Sequence, residues 1–526
     1  ERYCIHNLIL MAQQSRVYKS LLNARVNLFY YFVFILLSFF SRKIFLDSLG
    51  ADFMGLGGTL SNILGFLSLA EMGVGAAVSY NLYKPIEQGD RKKVEELVSV
   101  FGYLYRKIGL LILVAGCILS LFIPLIFKKT VFDFGLIYFA FFCILGSSLL
   151  GYFINYRQIL LTADQKQYVV SIYIQGASVV KCLLQMFFAY KWGNYYVWII
   201  LEFLFSFIGC AVLNYKINKT YPWLHASVAK GKKVFSQYRY LIGFTKQVFI
   251  HKIKDFLLNQ SDQILIFAFV SLKMVAYYGN YTLVVTRVSS MFDSALGSFT
   301  AGVGNLVAEG NNKRSQEVFW EIVALRFFVA GFLIFSVYNL LEPFISLWLG
   351  KRYLLDHTIL ILLLVTVFIS QTRGAVDMFN TAFGHYADTW AAWAELILNI
   401  ATTLATAPFL GIAGILLGKI VSTFIIIIVW KPYYLFKVGF RRKMSVYWVQ
   451  EIKFYISFMA SIIISTMLFN LITINAGDSF LNLIKKGVIT VPMFCIIYLV
   501  LLYSLTQGTR DLTHRIIGMV TKKISK

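Results

Sequence analysis

Between residues 28 and 506 the chain repeats one pattern: a long apolar run, then a short stretch of charge, glycine or proline. A helix needs ~20 apolar residues to cross a ~30 Å hydrocarbon core. Runs of that length predict about fourteen spans, at 21–46, 54–83, 97–127, 134–161, 168–190, 194–215, 243–270, 274–307, 317–349, 354–384, 388–408, 411–436, 448–473 and 480–506. Helices and closed barrels alone satisfy their backbone in lipid. These runs are too long and too continuously apolar for barrel strands of ~10 alternating residues. Several exceed 25 residues and must tilt or reach into the interface.

The pattern also repeats on a larger scale. Leu82-Tyr83-Lys84, Gly89-Asp90-Arg91-Lys92-Lys93 and Glu96 close span two. Leu306-Val307, Gly310-Asn311-Asn312-Lys313-Arg314 and Glu317 close span eight, 221 residues later. Thr162-Ala163 ends span four, and Thr381-Ala382 ends span ten at an offset of 219. Two matches at nearly one offset point to duplication of a six-span unit. Six is even, so the repeats run parallel, and such halves face each other across a cavity that alternates access. The expected fold is an all-α polytopic membrane protein of about fourteen transmembrane helices. It has two parallel-repeat six-helix lobes plus two C-terminal helices around a central cavity.

Charge orients this arrangement. Lys and Arg concentrate in alternate loops, at 84–93, 216–239, 313–314 and 431–443, and in both terminal segments. The positive-inside rule then puts both termini in the cytoplasm. The expected organisation is a cytoplasmic N-terminal segment at 1–20, an N-lobe at 21–216 and a basic inter-lobe loop at 217–242. A C-lobe at 243–437, spans thirteen and fourteen at 438–506 and a basic tail at 507–526 follow. Residues 1–10 read as an upstream extension, and no cleavable signal peptide is evident. The net charge of +24 would suggest nucleic acid in a soluble chain. Here the cations sit in loops between apolar runs, so topology accounts for them, and no nucleic-acid partner is expected.

Composition narrows the chemistry. Charged residues are 14% of the chain, well under the ~25% of soluble domains. Five of the six cysteines lie in apolar runs and none forms a CxxC or Cys/His cluster, so they read as small buried hydrophobes and no metal site is expected. No P-loop, GxSxG or HExxH occurs, the outer loops are short, and no paired acidic motif appears, which argues against an enzyme.

What remains is charge inside the spans, where each central residue costs ~2.5–3.5 kcal/mol on insertion scales. The cations are Arg25, Arg157, Lys181, Lys246, Arg287, Arg326, Arg373 and Lys419. Arg25, Arg157, Lys181, Lys246, Arg287 and Arg373 are the candidates for a cationic cavity that binds a multiply charged anion. Guanidinium suits phosphate oxygens because its fork binds them bidentately. The competing reading for Arg157 and Arg326 is snorkelling to headgroups. For Arg373 it is an i,i+4 pair with Asp377. On span seven His251, Asp255, Asn259 and Asp262 share one helical face, which cannot face lipid. Glu71 and Asp262 are candidates for proton or Na⁺ coupling, or else for interhelical hydrogen bonds.

One stretch resembles a known family. Arg42-Lys43-Ile44, Leu49-Gly50, Gly55-Leu56, Asn62-Ile63-Leu64 and Leu67-Ser68-Leu69-Ala70-Glu71-Met72-Gly73-Val74-Gly75 lead into Asn81-Leu82-Tyr83-Lys84-Pro85. They resemble the start of bacterial O-antigen and capsule repeat-unit flippases, within the multidrug/oligosaccharidyl-lipid/polysaccharide exporter superfamily. Ala163-Asp164-Gln165-Lys166, Tyr277-Tyr278-Gly279-Asn280-Tyr281 and Gly304-Asn305-Leu306-Val307-Ala308 add to the likeness. The resemblance implies a flippase in the bacterial inner membrane. It would move an undecaprenyl-diphosphate-linked oligosaccharide from the cytoplasmic to the outer leaflet, coupled to H⁺ or Na⁺ and with no other cofactor. The implied partners are the lipid-linked substrate, membrane lipids, a polysaccharide polymerase and a chain-length regulator. The alternatives are a multidrug or lipid II type exporter of the same superfamily, and a membrane glycosyltransferase or polymerase.

Overall fold

The computed structural model describes residues 2–67, 74–128, 130, 132–239, 261–297, 299–385, 388–469 and 476–524. These residues form helices and their connections, with no strand among them. The chain is an all-α, multi-pass membrane protein. Among the described residues, eleven helices are long and apolar enough to cross a membrane. Each coincides with an expected span. The other three expected spans are 54–83, 243–270 and 274–307. The first two run into residues outside the described set, and the third is a helix interrupted by polar residues.

The chain divides into two compact units, residues 1–276 and 277–526. In the first, the helices are α1 (Arg2–Ser48), α2 (Ala51–Leu67), α3 (Val74–Glu87), α4 (Arg91–Ser120), α5 (Phe134–Phe153), α6 (Gln167–Trp192), α7 (Tyr195–Thr220) and α8 (Val228–Val234). Helix α5 packs on α4 and α7, α6 packs on α1 and α7, and α3 on α4. The basic loop after span six contains the short α8, capped by Ser227 on the Lys230 amide at 3.3 Å. Helix α8 docks on α4 at Gly231, where any side chain would collide with the Ser99 carbonyl. The Gly55-Leu56 motif works the same way: the Leu272 backbone lies against Gly55. Arg42 donates to the Ala276 carbonyl at 3.0 Å, and Asn62 to Gln263 Oε1 at 2.6 Å.

In the second unit, α9 (Leu272–Gly297, completed here from Tyr277), α10 (Thr300–Ala308), α11 (Asn312–Trp348), α12 (His357–Thr372), α13 (Gly374–Ala382), α14 (Thr389–Leu410) and α15 (Ile412–Gly439) precede α16 (Met444–Phe469), α17 (Phe480–Leu505) and α18 (Gln507–Ile524). Helix α11 is the strut, with α12, α16, α17 and α18 all packed on it. Tyr498 of α17 lies over Gly331 and donates to the Phe327 carbonyl at 3.0 Å.

Side-chain sorting shows what surrounds these helices. On α16, Val446, Val449, Ile452, Ile456, Met459, Ile463 and Met467 are exposed at helical spacing, while Ser457, Ser461 and Ser465 are fully buried. Large apolar groups outside and small polar ones between helices is the arrangement that lipid selects.

The duplication is visible in the turns. After span one, Gly50 N–H donates to the Phe45 carbonyl at 3.2 Å; 221 residues on, Ser271 donates to Ile266 at 3.1 Å. Gly89 and Gly310 both have positive φ, +68° and +73°. The next residues, Asp90 and Asn311, cap α4 and α11 through the amides of Lys93 and Arg314, at 3.0 and 3.1 Å. Those caps start the two helices before residues 97 and 317, where hydropathy alone begins them, because a charged first turn carries no apolar signal. At the end of span four, Lys166 N–H reaches the Leu161 carbonyl at 2.8 Å, and His385 reaches Asn380 at 2.9 Å. Asp133 and Asp356 cap spans four and ten alike. Equivalent positions lie 219 to 223 residues apart.

The left-handed position in one of these turns is held by Gln165 (φ 57°) and its counterpart by Gly384 (φ 70°). A side chain there costs ~1 kcal/mol. Gln165→Gly is therefore expected to leave stability unchanged or raise it, and Gly384→Gln to lower it by about 1 kcal/mol. Thermal unfolding in detergent would show opposite signs; equal shifts would refute the equivalence.

Candidate functional site

The expected site residues separate into several environments. Glu71 and Lys246 lie outside the described residues, as do His251, Asp255 and Asn259. Asp262 is buried, beside the Gln263 that joins Asn62. Arg25 is exposed on α1. Arg157 does not reach outward: it donates to Asn218 Oδ1 at 2.9 Å and to the Ala226 carbonyl at 3.5 Å, tying the end of span four to the basic loop. Nearby, Asp164 of the Ala163-Asp164-Gln165-Lys166 motif accepts from Tyr221 at 2.7 Å and pairs with Lys166 at 2.7 Å. Burial, then the Asp164 hydrogen bond, pushes the Tyr221 phenol well above its ordinary pKa. Asn23 spans the same corner, donating to the Gln165 carbonyl at 2.9 Å and accepting from Tyr168 N–H at 2.7 Å. This motif is a structural clasp.

Lys181 on α6 pairs with Glu202 on α7 at 2.5 Å. Gln185 donates to the same carboxylate at 3.1 Å and to the Trp198 carbonyl at 2.9 Å. One lysine and one glutamate thus cancel inside the first unit.

The second unit holds a larger charge network. Arg326, only 6% exposed on α11, donates to Asp293 Oδ1 of α9 at 3.3 Å. Gln371 of α12 donates to Asp293 Oδ2 at 3.2 Å. Arg326 therefore does not snorkel; it is locked in the interior of its unit. Arg373 and Asp377 form the i,i+4 pair at 3.2 Å, half-exposed. Span ten breaks at Arg373 between α12 and α13, and Gly374 there admits the Arg326 guanidinium. Arg326 Nε and Gln371 Oε1 have no hydrogen-bond partner among the described residues.

Asp293 belongs to a feature that hydropathy hid. Thr286, Ser290, Asp293 and Ser294 are exposed at i, i+4, i+7 and i+8 on one face of α9. Val288, Met291 and Ala295 are exposed on the opposite side. The hydroxyls are self-satisfied: Thr286 donates to the Thr282 carbonyl at 2.6 Å and Ser294 to Ser290 at 2.8 Å. The Asp293 carboxylate is 49% exposed. A half-exposed carboxylate within a span faces water, because lipid would not tolerate it. The apolar side of the same helix suits lipid. The helical period of Thr286, Ser290, Asp293 and Ser294 carries this signal in the sequence.

Full-length structural comparison gives the fold. A structure of the lipid II flippase MurJ in an inward closed conformation superposes with a TM-score of 0.63, covering 94% of this chain and 100% of that one, at 14% identity. The chain has the MurJ fold. An inward-facing multidrug resistance MATE family transporter of the MOP superfamily matches at a TM-score of 0.53, over 76% of this chain and 93% of that one, at 13% identity. The larger coverage of the MurJ-fold match extends to the full complement of about fourteen spans. No family model and no curated protein matches the sequence.

Removing one partner of a buried ion pair costs ~3–5 kcal/mol, because the other charge is stranded. Asp293→Ala strands Arg326 and is expected to lower stability by about 3 kcal/mol. Arg326→Met leaves a carboxylate that water can reach and should cost less. Thermal unfolding of the two variants in detergent decides it; the reverse order would show that Arg326 is hydrated.

Proposed function

We propose that the chain is a lipid-linked oligosaccharide flippase, moving undecaprenyl-diphosphate-linked repeat units from the cytoplasmic to the outer leaflet by alternating access. The carrying observation is the full-length match to the lipid II flippase fold, 94% of this chain on 100% of the other. The resemblance of residues 42–85 to repeat-unit flippases favours that cargo. The water-facing stripe of α9 supports a route for a polar headgroup, and the opposite apolar face supports a boundary with lipid.

Within this reading, Arg287 is the guanidinium assigned to the diphosphate. It lies on α9, within the turns that carry the polar stripe. Lys181 and Arg373, each beside a carboxylate at 2.5 and 3.2 Å, belong to the same proposed cation set. Arg25 and Lys246 complete the proposed cation set, with Arg157 acting as a brace for the loop. A second reading, a lipid II type flippase, has the support of the same match and differs in the saccharide carried.

Rescue of a flippase-null bacterial strain with a defined polysaccharide tests the function. Wild type is expected to rescue, and Arg287→Ala at equal membrane expression to lose at least about tenfold in polymer yield, since a charged hydrogen bond is worth ~1.5–3 kcal/mol. Rescue by both proteins would remove Arg287 from the site. Rescue of a lipid II flippase-null strain instead would select the second reading.

Asp262→Asn is expected to abolish gradient-dependent uptake of lipid-linked saccharide in proteoliposomes if Asp262 carries the coupling H⁺ or Na⁺. Unchanged uptake would leave Asp262 as an interior hydrogen-bonding group.

A further inference from the structure

Inside the first unit a polar cavity lies beside Lys181. Its volume is about 400 Å³, and its walls come from α5, the turn after it, α6 and α7. Four serines (Ser147, Ser148, Ser178 and Ser206), Asn155, Gln158 and Lys181 supply the polar lining, and Phe205 an aromatic face.

The hydroxyls are all oriented in one sense. Ser147 donates to the Cys143 carbonyl at 3.0 Å, Ser148 to Ile144 at 3.1 Å, Ser178 to Ile174 at 2.9 Å and Ser206 to Glu202 at 2.8 Å. Each proton is committed to its own helix four residues back, so the oxygens can only accept. Asn155 is 2% exposed, and its side-chain oxygen has no hydrogen-bond partner among the described residues, an unmet acceptor of the kind that folded proteins rarely keep. Lys181 is the opposing donor: one of its protons goes to Glu202 and the ammonium has two more. Gln158 adds an amide that both donates and accepts. An occupant therefore donates to the serine oxygens and offers acceptors to Lys181 and Gln158.

Two further observations show a built space. Gly151, in the body of α5, lines the cavity, and a side chain placed there would meet nothing within 4 Å. Glycine inside a helix costs ~0.5–1 kcal/mol relative to alanine, and no close helix contact at Gly151 explains it. The α6 wall also opens into a π turn at Ser171–Gln175, a distortion frequent at functional sites.

We infer that this cavity is a saccharide-binding subsite, taking one pyranose ring with its vicinal hydroxyls on the serine oxygens and a ring substituent oxygen on Lys181. Phe205 covers the apolar face of the ring. A bare metal cation would meet the Lys181 ammonium, and an apolar guest would strand four acceptors; a polyol satisfies both sets. The inference rests on the flippase reading, in which the cargo carries sugars, and it adds a contact for the sugar separate from the diphosphate.

The test is saturation-transfer NMR on the full chain in nanodiscs, with methyl glucoside and N-acetylglucosamine as probes and glycine betaine as a polar control without hydroxyls. Wild type is expected to transfer saturation to the ring protons with a Kd on the order of 1 mM. Gly151→Leu starts a side chain where a Cβ meets nothing within 4 Å, and is expected to weaken transfer at least about tenfold with the fold kept in thermal unfolding. Should Gly151→Leu fail to fold, Ser178→Leu fills the same cavity from α6. No transfer to wild type, or equal transfer to the filled variant, overturns the subsite. Rescue of the flippase-null strain by a chain that shows no transfer would overturn the subsite alone. Transfer to a chain that does not rescue would support the subsite and count against the flippase reading.

Discussion

Polar groups of this chain that enter the membrane need partners, from the protein or from water, and the fold follows from that constraint. In hydrocarbon an unpaired backbone or side-chain group costs several kcal/mol. The hydroxyls between helices obey it by turning inward on their own backbone, as Ser457 does on Lys453 at 2.8 Å and Thr490 on Lys486 at 2.8 Å. Once a hydroxyl is closed this way, two helices can approach over it as over an alanine. That is how α16 and α17 present a continuous apolar exterior while burying serine and threonine. The interior charges obey the same rule by pairing: Lys181 with Glu202, Arg326 with Asp293, Arg373 with Asp377.

The two repeats show which features such a constraint preserves. Their spans share little sequence, yet the turns between them keep the same hydrogen bonds. A span can exchange one large apolar residue for another against lipid at little cost. A turn at the membrane surface cannot exchange its caps so freely, because the first amides of a helix need an acceptor. Asp90 and Asn311 differ in charge and still accept from the amide three residues on. Hydrogen-bond geometry outlasts residue identity here, since the geometry is what satisfies the backbone.

Most of the architecture was legible in the sequence for the same reason. Apolar runs gave the span positions, and the motifs at 82–96 and 306–317 exposed the duplication because they hold caps. The candidate site was less legible. Arg373 and Asp377 could be paired from their spacing, because both lie on one helix. Arg326 with Asp293, and Lys181 with Glu202, join different helices, and spacing along one chain says nothing of that. The Gly55 and Gly231 contacts were hidden for a further reason: a glycine in the sequence does not reveal which backbone will lie against it. The stripe of α9 was readable in principle, at the helical period of Thr286, Ser290, Asp293 and Ser294, but hydroxyl residues are also common where helices merely touch.

Helix α9 shows what hydropathy measures and what it misses. Its charges and hydroxyls keep it from the eleven spans that length and apolarity identify. It nevertheless has an apolar side, with Val288 and Met291 exposed. Hydropathy averages around the helix and so cannot distinguish a helix that is moderately apolar on all sides from one divided between lipid and water. A transporter needs the second kind, because the wall of a water-filled path must also border the bilayer. The polar side depresses the average, so the spans that score worst are where a path through this fold is most readily sought. Asp293 belongs to that side, and Arg326 and Gln371 behind it hold a half-exposed carboxylate in one orientation. The network thus connects the water-facing surface of α9 to the buried face of α11.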